Sequence, residues 1–290
     1  MENKLSRGAL IILFLALLDC LVWGVIFLDL PKQNSQIYFL DVGQGDSELV
    51  ILPGGVKILT DAGLPDQRVV QSIEKALSPS DRYIDLAVIS HPQLDHFGGF
   101  LELLKRYKFG AIIINGRSDT VTVKEWPLLL AQVKAQGIPL VTLKSGDRIT
   151  YNDNHVDFIA PDQVFLESAE LNDTGLVELI RTPDFSALLT ADIGENVEQY
   201  LIKEKKLGPI DVLKVPHHGS KYSSSAEFLA TIAPRVSVIE VGNNNRYGHP
   251  APETLAHLQS QGIHVFRTDQ NGTVRVVGAN KKLQVFTERQ

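Results

Sequence analysis

The stretch Ile-Ser-His-Pro-Gln-Leu-Asp-His-Phe-Gly-Gly, residues 89–99, decides the fold, because it places His91, Asp95 and His96 within a span of six residues. The apolar residues 86–90 read as a short buried strand, so His91 emerges at a strand's C-terminal end, where open α/β sheets place their sites. Residues 97–107 have helical periodicity, which leaves Asp95 and His96 in a strand-to-helix turn. Imidazole and carboxylate together suit Zn²⁺, Mn²⁺ or Fe. The spacing therefore indicates a metal site; the alternative is a solvated loop with two histidines and a capping aspartate.

The sequence outside this stretch alternates predicted strands and helices. In the first half we predict strands over residues 37–40, 49–52, 57–59, 86–90, 111–114, 138–143, 148–151 and 156–159, with helices over 68–77, 97–107 and 123–136. In the second half we predict strands over residues 186–190, 211–215, 236–241 and 264–267, with helices over 195–205, 225–232 and 252–261. Two sets of strands with interleaved helices indicate an α/β fold of two packed sheets flanked by helices.

Composition and charge limit the classes of function. The chain has 290 residues, enough for one large domain or two small ones, and its 44% hydrophobic content is typical of a packed globular core. The net charge of −6 excludes a generally basic protein, so a nucleic-acid substrate needs a local basic patch. The single cysteine, Cys20, excludes an intrachain disulfide framework.

The N-terminal segment is apolar from residue 8 to residue 28, long enough to cross a bilayer. Asp19 near its centre costs about 2.5 to 3.5 kcal/mol, whereas each central Leu, Ile, Val or Phe returns about 0.3 to 0.6 kcal/mol, so we expect insertion. We predict a retained signal-anchor through residues 8–30; a cleaved signal peptide is the alternative, although no small-x-small site follows. Lys4 and Arg7 precede the span, which predicts a single-pass cell-membrane protein with its C-terminal domain outside the cytoplasm.

Four further motifs accompany the metal-site stretch. They are Asp-Val-Gly-Gln-Gly-Asp at 41–46, Thr-Asp-Ala-Gly at 60–63, Lys-Val-Pro-His-His-Gly-Ser at 214–220 and Tyr-Gly-His-Pro at 247–250. With His-x-x-x-Asp-His at 91–96, they resemble, in the same order, the hydrolase-like domain of ComEC-type DNA-uptake competence proteins in the metallo-β-lactamase-like hydrolase superfamily. The resemblance implies a four-layer αββα sandwich, here preceded by one N-terminal transmembrane helix. We therefore expect residues 1–35 to form the signal-anchor and a short linker, and residues 36–290 the hydrolase domain.

The resemblance also implies a set of metal ligands. The candidates, for one or two divalent ions, Zn or Mn, are His91, Asp95, His96, Asp192, His217 and His249. Asp192 follows the apolar strand at 185–190 and takes the place of a carboxylate that bridges two metals. From the residues alone, an N-cap of the helix at 195–205 is an equally physical role for Asp192.

Further site residues come from the same motifs. His217 and His218 follow a strand, and adjacent side chains on an extended backbone point to opposite faces, so one faces the cleft and the other supports it. We prefer His217 as the ligand but leave the choice open. The resemblance implies that Asp61 orients ligands. The candidate catalytic residues are Asp192, His218 and Asp46, and the candidate substrate-binding residues are Gln44, Asn172, Lys221 and Asn245. For residues 41–46 the alternative is a tight hairpin without a functional role.

Two positions depart from the superfamily pattern. Gln93 stands where a second histidine is usual, and its carbonyl is a weak ligand for Zn²⁺, so we expect one tightly held metal and a second that is easily lost. Ala191 replaces a usual glycine before the bridging aspartate. That replacement adds only a methyl group and is tolerated if the backbone angle is ordinary.

The expected function is that of a membrane-anchored, metal-dependent hydrolase, and the resemblance implies a phosphodiesterase or nuclease acting on DNA. ComEC-type proteins carry a multi-helix channel, whereas this chain has one apolar span, so the implied partners are single-stranded DNA and a separate uptake channel. Candidate phosphate contacts, with ordinary surface charge as the alternative, are Lys214, Lys221, Arg246, Arg267 and Arg275. The alternative functions are a small-molecule hydrolase acting on a lactone, thioester or lactam, and a non-catalytic scaffold domain.

Overall fold

Helix α1 (Arg7–Leu28) is the first element of the computed structural model, which describes residues 6–28, 34–117, 123–243 and 245–289. Its segment Arg7–Gly24 is long and apolar enough to cross a membrane, and none of that segment is buried against the rest of the chain. Residues 29–33, which include part of the predicted linker, lie outside the described residues.

The described residues beyond α1 alternate strands and helices, as the sequence predicts. The strands are β1 (Gln36–Phe39), β2 (Glu48–Ile51), β3 (Lys57–Thr60), β4 (Tyr83–Ile89), β5 (Lys108–Ile114), β6 (Leu140–Thr142), β7 (Arg148–Tyr151), β8 (Asn154–Ala160), β9 (Val177–Arg181), β10 (Ser186–Leu189), β11 (Val212–Lys214), β12 (Val236–Ile239), β13 (His264–Arg267), β14 (Val274–Ala279) and β15 (Lys282–Thr287). The helices after α1 are α2 (Arg68–Ala76), α3 (Leu94–Phe97), α4 (Phe100–Leu103), α5 (Glu125–Ala135), α6 (Gln163–Leu166), α7 (Glu195–Lys203), α8 (Ala226–Ile232), α9 (Pro252–Ser260) and α10 (Thr268–Asn271).

The strands form two mixed sheets. The first has the order β15-β14-β1-β2-β3-β4-β5-β6, antiparallel as far as β3 and parallel from β3 onward. The second has the order β13-β12-β11-β10-β9-β8-β7, with parallel pairing from β13 to β10 and antiparallel pairing beyond. Parallel strands need both faces covered, which explains their nearly continuous apolar sequences.

Three apolar cores hold the layers together. Residues such as Phe39 and Val88 of the first sheet pack against Phe158 and Val238 of the second. Helices α2, α4 and α5 cover the outer face of the first sheet, and α7, α8 and α9 cover that of the second. The predicted αββα sandwich, with one apolar helix before it, is therefore confirmed.

Of the helix predicted over residues 97–107, only Phe100–Leu103 forms a helix, α4, apart from the last residue of α3. Asp95 and His96, predicted to lie in a turn, belong to α3. Gly98 and Gly99 separate α3 from α4, and a Cβ on Gly99 would lie 2.0 Å from the backbone oxygen of Ala62. A continuous helix with a larger residue here would push the chain away from the strand that ends before Ala62. The glycine pair thus brings α3, with Asp95 and His96, close to the end of β3.

Candidate metal centre

The candidate metal centre lies where strand ends from both sheets meet. His91 follows β4, and α3 immediately beyond it carries Asp95 and His96. Asp192 follows β10, and a 3₁₀ turn after β11 carries His218. The first three residues therefore come from one sheet and the last two from the other. Carboxyl ends of parallel strands are where α/β folds place their ligands, as expected from the sequence.

Three buried imidazoles, those of His91, His96 and His218, have their Nδ1 atoms occupied. The Nδ1 contacts are, in the same order, Ser90 Oγ at 3.0 Å, Asp61 Oδ2 at 2.7 Å and the backbone oxygen of Glu240 at 2.8 Å. Among the described residues, no hydrogen bond of acceptable geometry reaches any of the three Nε2 atoms. A buried ring nitrogen without a hydrogen-bond partner normally binds a ligand. A hydrogen-bond partner on Nδ1 fixes the imidazole tautomer whose Nε2 atom can bind a metal.

Asp192 lies among these nitrogens. Its Oδ2 atom is 3.3 Å from His96 Nε2 and 3.5 Å from His218 Nε2, and its side chain is almost fully buried. Asp95 Oδ2 lies 3.6 Å from the same His218 nitrogen. Helix α7 begins after Gly194, so Asp192 is not the N-cap of that helix.

The donor atoms form overlapping groups, and the atoms of each group lie close enough together to bind one divalent cation. Asp95, His96 and His218 form one such group, and His91, His96 and Asp192 form another, each with all donor atoms within 4.8 Å of one another. Nitrogen and carboxylate oxygen donors suit Zn²⁺ and Mn²⁺. The residues present therefore fit a divalent metal.

Amide side chains line the wall beside His91. Gln93 Nε2 donates a hydrogen bond to Asn172 Oδ1, and Asn172 Nδ2 lies 3.3 Å from His217 Nε2. The Gln93 and Asn172 side chains are neutral amides. Imidazoles in their place would bind a second metal more strongly. The expectation of one tightly held and one easily lost metal stays a prediction.

His217 and His218 differ in their relation to the donors, and the geometry favours His218, against our sequence-based preference for His217. His218 is buried and belongs to the donor groups, whereas His217 has 31% of its side chain exposed and belongs to none among the described residues. Both residues have left-handed backbone angles, with φ of +50° and +54°. The argument from alternating faces failed because it assumed an extended backbone.

Burial and charge set the protonation of the imidazoles. Burial, reinforced by the neighbouring His96, lowers the pKa of His91 to about 4. Burial also opposes protonation of His96 and His218, but Asp192, with Asp61 at His96 and Asp46 at His218, outweighs it and raises both pKa values well above the ordinary range. Without a metal, protons on His96 and His218 balance the carboxylates, so metal binding has to release them.

Lys214 is fully buried beneath this centre, which corrects its prediction as a phosphate contact. Its ammonium pairs with the Asp46 carboxylate, donates to the Ala191 backbone oxygen at 2.7 Å and lies 3.7 Å from Asp192 Oδ1. Burial opposes the charge, but Asp46 and Asp192 raise the pKa of Lys214 above its ordinary value. Lys214 is thus a permanent internal cation.

Asp46, predicted as catalytic, is also buried beneath the centre. Its Oδ1 atom is 3.2 Å from His218 Nδ1, and Asp46, Asp192 and His218 offer donor atoms that all lie within 4.8 Å of one another. Burial raises the pKa of Asp46, but Lys214 and His218 more than reverse that effect and lower it. The structure therefore gives Asp46 a positioning role rather than contact with a substrate.

Two buried carboxyls that the sequence analysis did not single out extend this network. Glu48 and Glu240 interact with each other electrostatically, and Glu240 accepts from the Ser47 backbone N–H at 3.1 Å. Burial, with Asp46 adding to it, raises the pKa of Glu240 to about 8, and burial and Glu240 raise that of Glu48 well above its ordinary value. Their signal was a glutamate inside an apolar strand sequence, at 48–52 and at 236–241.

The backbone at Ala191 is not ordinary, since its φ of +48° lies in the left-handed region. A non-glycine residue there costs about 1 to 3 kcal/mol. The conformation directs the Ala191 oxygen toward two donors, Lys214 Nζ and the His217 backbone N–H. The usual glycine would adopt this angle without strain.

Residues 40–242 match the sequence model of the Metallo-beta-lactamase superfamily. The chain belongs to the metallo-beta-lactamase superfamily. The fold of this superfamily binds divalent metals, and its members are typically metal-dependent hydrolases. The donor groups at the strand ends are therefore the candidate metal-binding region of this superfamily member.

Similar proteins include three curated relatives. The chain is 31% identical to ComE operon protein 3 of Bacillus subtilis over 88% of this chain, 28% identical to Recombination protein 2 of Haemophilus influenzae over 91%, and 27% identical to Competence protein ComA of Neisseria gonorrhoeae over 84%. It spans about a third of the length of these relatives, namely 35%, 32% and 32%.

Two solved structures show the same fold. The metallo-beta-lactamase fold protein YhfI from Bacillus subtilis has a TM-score of 0.55 and 10% identity, with 83% of this chain and 99% of that chain covered. CmlA, a diiron beta-hydroxylase from Streptomyces venezuelae, has a TM-score of 0.52 and 15% identity, with 82% and 53% covered. At these identities the likeness shows the architecture alone.

The remaining predicted residues of this metallo-beta-lactamase chain lie around the metal centre. His249 is outside the donor groups of the described residues, and its ring packs against the rings of Tyr247 and His217. The Asn245 side chain donates to the His249 backbone oxygen at 2.7 Å and accepts from the His249 N–H at 3.0 Å, so it holds the loop together. Gln44 accepts from the Gly242 N–H at 3.4 Å and joins two loops.

The predicted basic residues separate into two groups. Lys221 and Arg246 are exposed in the loops that carry the late motifs of this superfamily member. Arg267 is paired with Asp269 at 2.7 Å, and the Arg275 guanidinium lies 4.4 Å from the centre of the Phe286 ring. Lys221 and Arg246 remain candidates for phosphate contacts because they are exposed on these loops without a carboxylate partner among the described residues. Arg267 is held in an ion pair, and Arg275 lies on β14 against Phe286.

Proposed function

We propose that this chain is a membrane-anchored, metal-dependent phosphodiesterase that cleaves DNA. The observation that carries the proposal is the set of free Nε2 atoms on His91, His96 and His218 around the Asp192 carboxylate. Asp95, His96, His218 and Asp192 would hold a first ion, Zn²⁺ or Mn²⁺, and His91 would help to hold a second.

The choice of DNA as substrate rests on the relatives. Their names refer to competence and recombination, and the chain aligns with them over most of its own length. A cationic rim with Lys221 and Arg246 supports a phosphodiester rather than a lactone, thioester or lactam. Helix α1 would anchor the chain, with Arg7 on the cytoplasmic side and the hydrolase domain outside.

The residues around the centre have distinct roles in this reaction. A divalent metal ion bound here would act as a Lewis acid and would make hydroxide available at neutral pH by lowering the pKa of water. Asp61 and the Glu240 backbone oxygen fix the rings of His96 and His218, so that their Nε2 atoms face Asp192. His217 is 31% exposed and its Nε2 atom lies 3.9 Å from Asp192 Oδ2, so its ring would be able to bond to an oxygen of the substrate.

The test is hydrolysis of labelled single-stranded DNA and of a chromogenic phosphodiester by the full chain with Mn²⁺ or Zn²⁺. Asp192→Asn keeps the size of the side chain but removes its charge, and should lower the rate at least about a thousandfold, or about 4 kcal/mol in barrier height. Asp153→Asn, the same change on the exposed turn between β7 and β8, is the matched control and should retain the wild-type rate. If the metal-loaded wild type opens a lactone or thioester but cleaves neither phosphodiester, the proposal is wrong.

A further inference from the structure

Two exposed tyrosines, each next to a cation, lie on the loops that border the metal centre. Lys221 Nζ is 5.0 Å from the centre of the Tyr222 ring, and Arg246 Cζ is 5.3 Å from that of Tyr247. Tyr222 is 68% exposed and Tyr247 is 55% exposed. We call these four residues the tyrosine rim.

The tyrosine rim is connected to the metal centre through a series of rings. Tyr247 stacks on His249 with ring centres 6.0 Å apart and planes inclined by 16°. His249 meets His217 edge-on at 5.8 Å, and His217 Nε2 lies 3.9 Å from Asp192 Oδ2. Tyr222 belongs to the loop that begins with His217 and His218. A molecule lying on the rim therefore extends toward the donor atoms.

The two loops of the rim are held to each other. They follow β11 and β12, which are parallel neighbours, so both loops leave the same edge of the sheet. The Ala251 N–H donates to the Gly219 oxygen at 2.8 Å, and Thr254 Oγ1 donates to the Ser220 oxygen at 2.8 Å. Asn245 accepts from the Tyr247 N–H at 3.2 Å. The rim is thus a built surface and not a pair of free loops.

The chemistry of the rim matches unpaired nucleobases joined by phosphates. Base stacking on exposed aromatic rings is the usual means of binding single strands without sequence preference, and neighbouring cations contact the backbone. A duplex offers its phosphates but not its base faces. Because the chain as a whole carries −6, binding of a phosphate backbone needs local cations, and Lys221 and Arg246 are exposed cations on these loops.

We infer that the tyrosine rim is the single-strand binding subsite of this protein, with Tyr222 and Tyr247 stacking on bases and Lys221 and Arg246 contacting phosphates. The inference rests on the proposed function for its substrate class and adds the residues that select unpaired strands. It predicts that affinity depends on the presence of bases as well as on charge.

The experiment measures binding separately from cleavage. Fluorescence anisotropy of the full chain in detergent, with chelator present to prevent hydrolysis, compares a labelled oligothymidylate, an abasic strand of equal length and a duplex. Wild type should bind the oligothymidylate best. Tyr222→Leu and Tyr247→Leu should each weaken that binding by about 5- to 150-fold, whereas the Phe variants should stay within about twofold. Tyr83→Leu, at an exposed tyrosine at the start of β4, is the matched control and should not change it.

The cations give an independent readout. Lys221→Gln and Arg246→Gln should weaken binding of the thymidylate and abasic strands alike, and each should reduce the slope of log affinity against log salt by about 0.7. Lys108→Gln, on an exposed lysine at the start of β5, is their control. Equal affinity for thymidylate and abasic strands, or Leu variants no weaker than Tyr83→Leu, would overturn the inference.

The two proposals fail in different ways. If the chromogenic phosphodiester is cleaved but no base-dependent binding is found, the tyrosine rim is refuted and the proposed function stands. If base-dependent binding is lost in the Leu variants but no phosphodiester is cleaved by wild type, the rim is supported and the proposed function fails.

Discussion

Glu178 offers a direct test of how a buried carboxyl beneath the metal centre affects the free energy of unfolding. It lies on β9, fully buried between the sheets, and accepts a hydrogen bond from Thr60 Oγ1 at 2.9 Å. Its second oxygen has no partner among the described residues. Burial, with Asp61 adding to it, raises the pKa of Glu178 to about 8. The folded protein therefore holds this carboxyl neutral at pH 7, while the unfolded chain ionises it.

The sign and size of the effect follow from the two pKa values. Well below pH 4.5, the ordinary pKa, the carboxyl is protonated in both the folded and the unfolded state, and the stability contribution is fully present. Between pH 4.5 and about 8 the Glu178 carboxyl is ionised in the unfolded chain but still protonated in the folded protein. The free energy of unfolding therefore falls by about 1.36 kcal/mol per pH unit in this range. At pH 7 the loss is about 3 kcal/mol, and above about 8 it no longer grows.

Glu178→Gln has nearly the same shape and no charge, so it removes this loss. The variant should equal wild type in free energy of unfolding well below pH 4.5 and exceed it by about 3 kcal/mol at pH 7. Urea unfolding of the full chain in detergent, followed by tryptophan fluorescence at several pH values, measures the difference. Glu204→Gln, on an exposed glutamate, is the control. A difference between Glu178→Gln and wild type that does not change with pH would refute the reasoning.

Three further predictions concern the metal and its surroundings. His218→Ala should lower metal affinity at least about a hundredfold, and His217→Ala less than about tenfold, as measured by competition with a chelator. The reason is that only His218 lies in the donor groups of the described residues. Equal losses of affinity in the two variants would contradict this prediction. Gln93→His should raise the metal retained after dialysis from one ion to two by elemental analysis; two ions in the unaltered protein would contradict it. Lys214→Met should lower the free energy of unfolding by about 3 to 5 kcal/mol, against less than about 0.5 for exposed Lys203→Met, in urea titrations.

The sequence predicted the fold where each element carries its own pattern. Strand β4 and helices α2, α7 and α9 were identified from local periodicity, and the two-sheet arrangement followed from their alternation. It missed β9, where Glu178 and Arg181 interrupt the apolar run, and the hairpin of β14 and β15. Both cases depend on partners distant in sequence, which periodicity does not report.

The same limit applies to the candidate site. His91, Asp95 and His96 were placed together by their spacing after a predicted strand, and Asp192 was added through the family resemblance. The relation between His217 and His218 depends on backbone angles that no spacing reveals. Lys214 reads as an ordinary surface lysine until the fold places carboxylates around it.

The origin of the donors in two different sheets gives metal binding a structural consequence. His91, Asp95 and His96 belong to the first sheet, and Asp192 and His218 belong to the second, so a shared ion joins the two halves of the sandwich. Its binding free energy then adds to the free energy of unfolding. Without the ion, Asp46 of the first sheet still pairs with Lys214 of the second, and protons on His96 and His218 balance the carboxylates. The pair of Lys214 and Asp46 therefore links the two sheets independently of a metal ion.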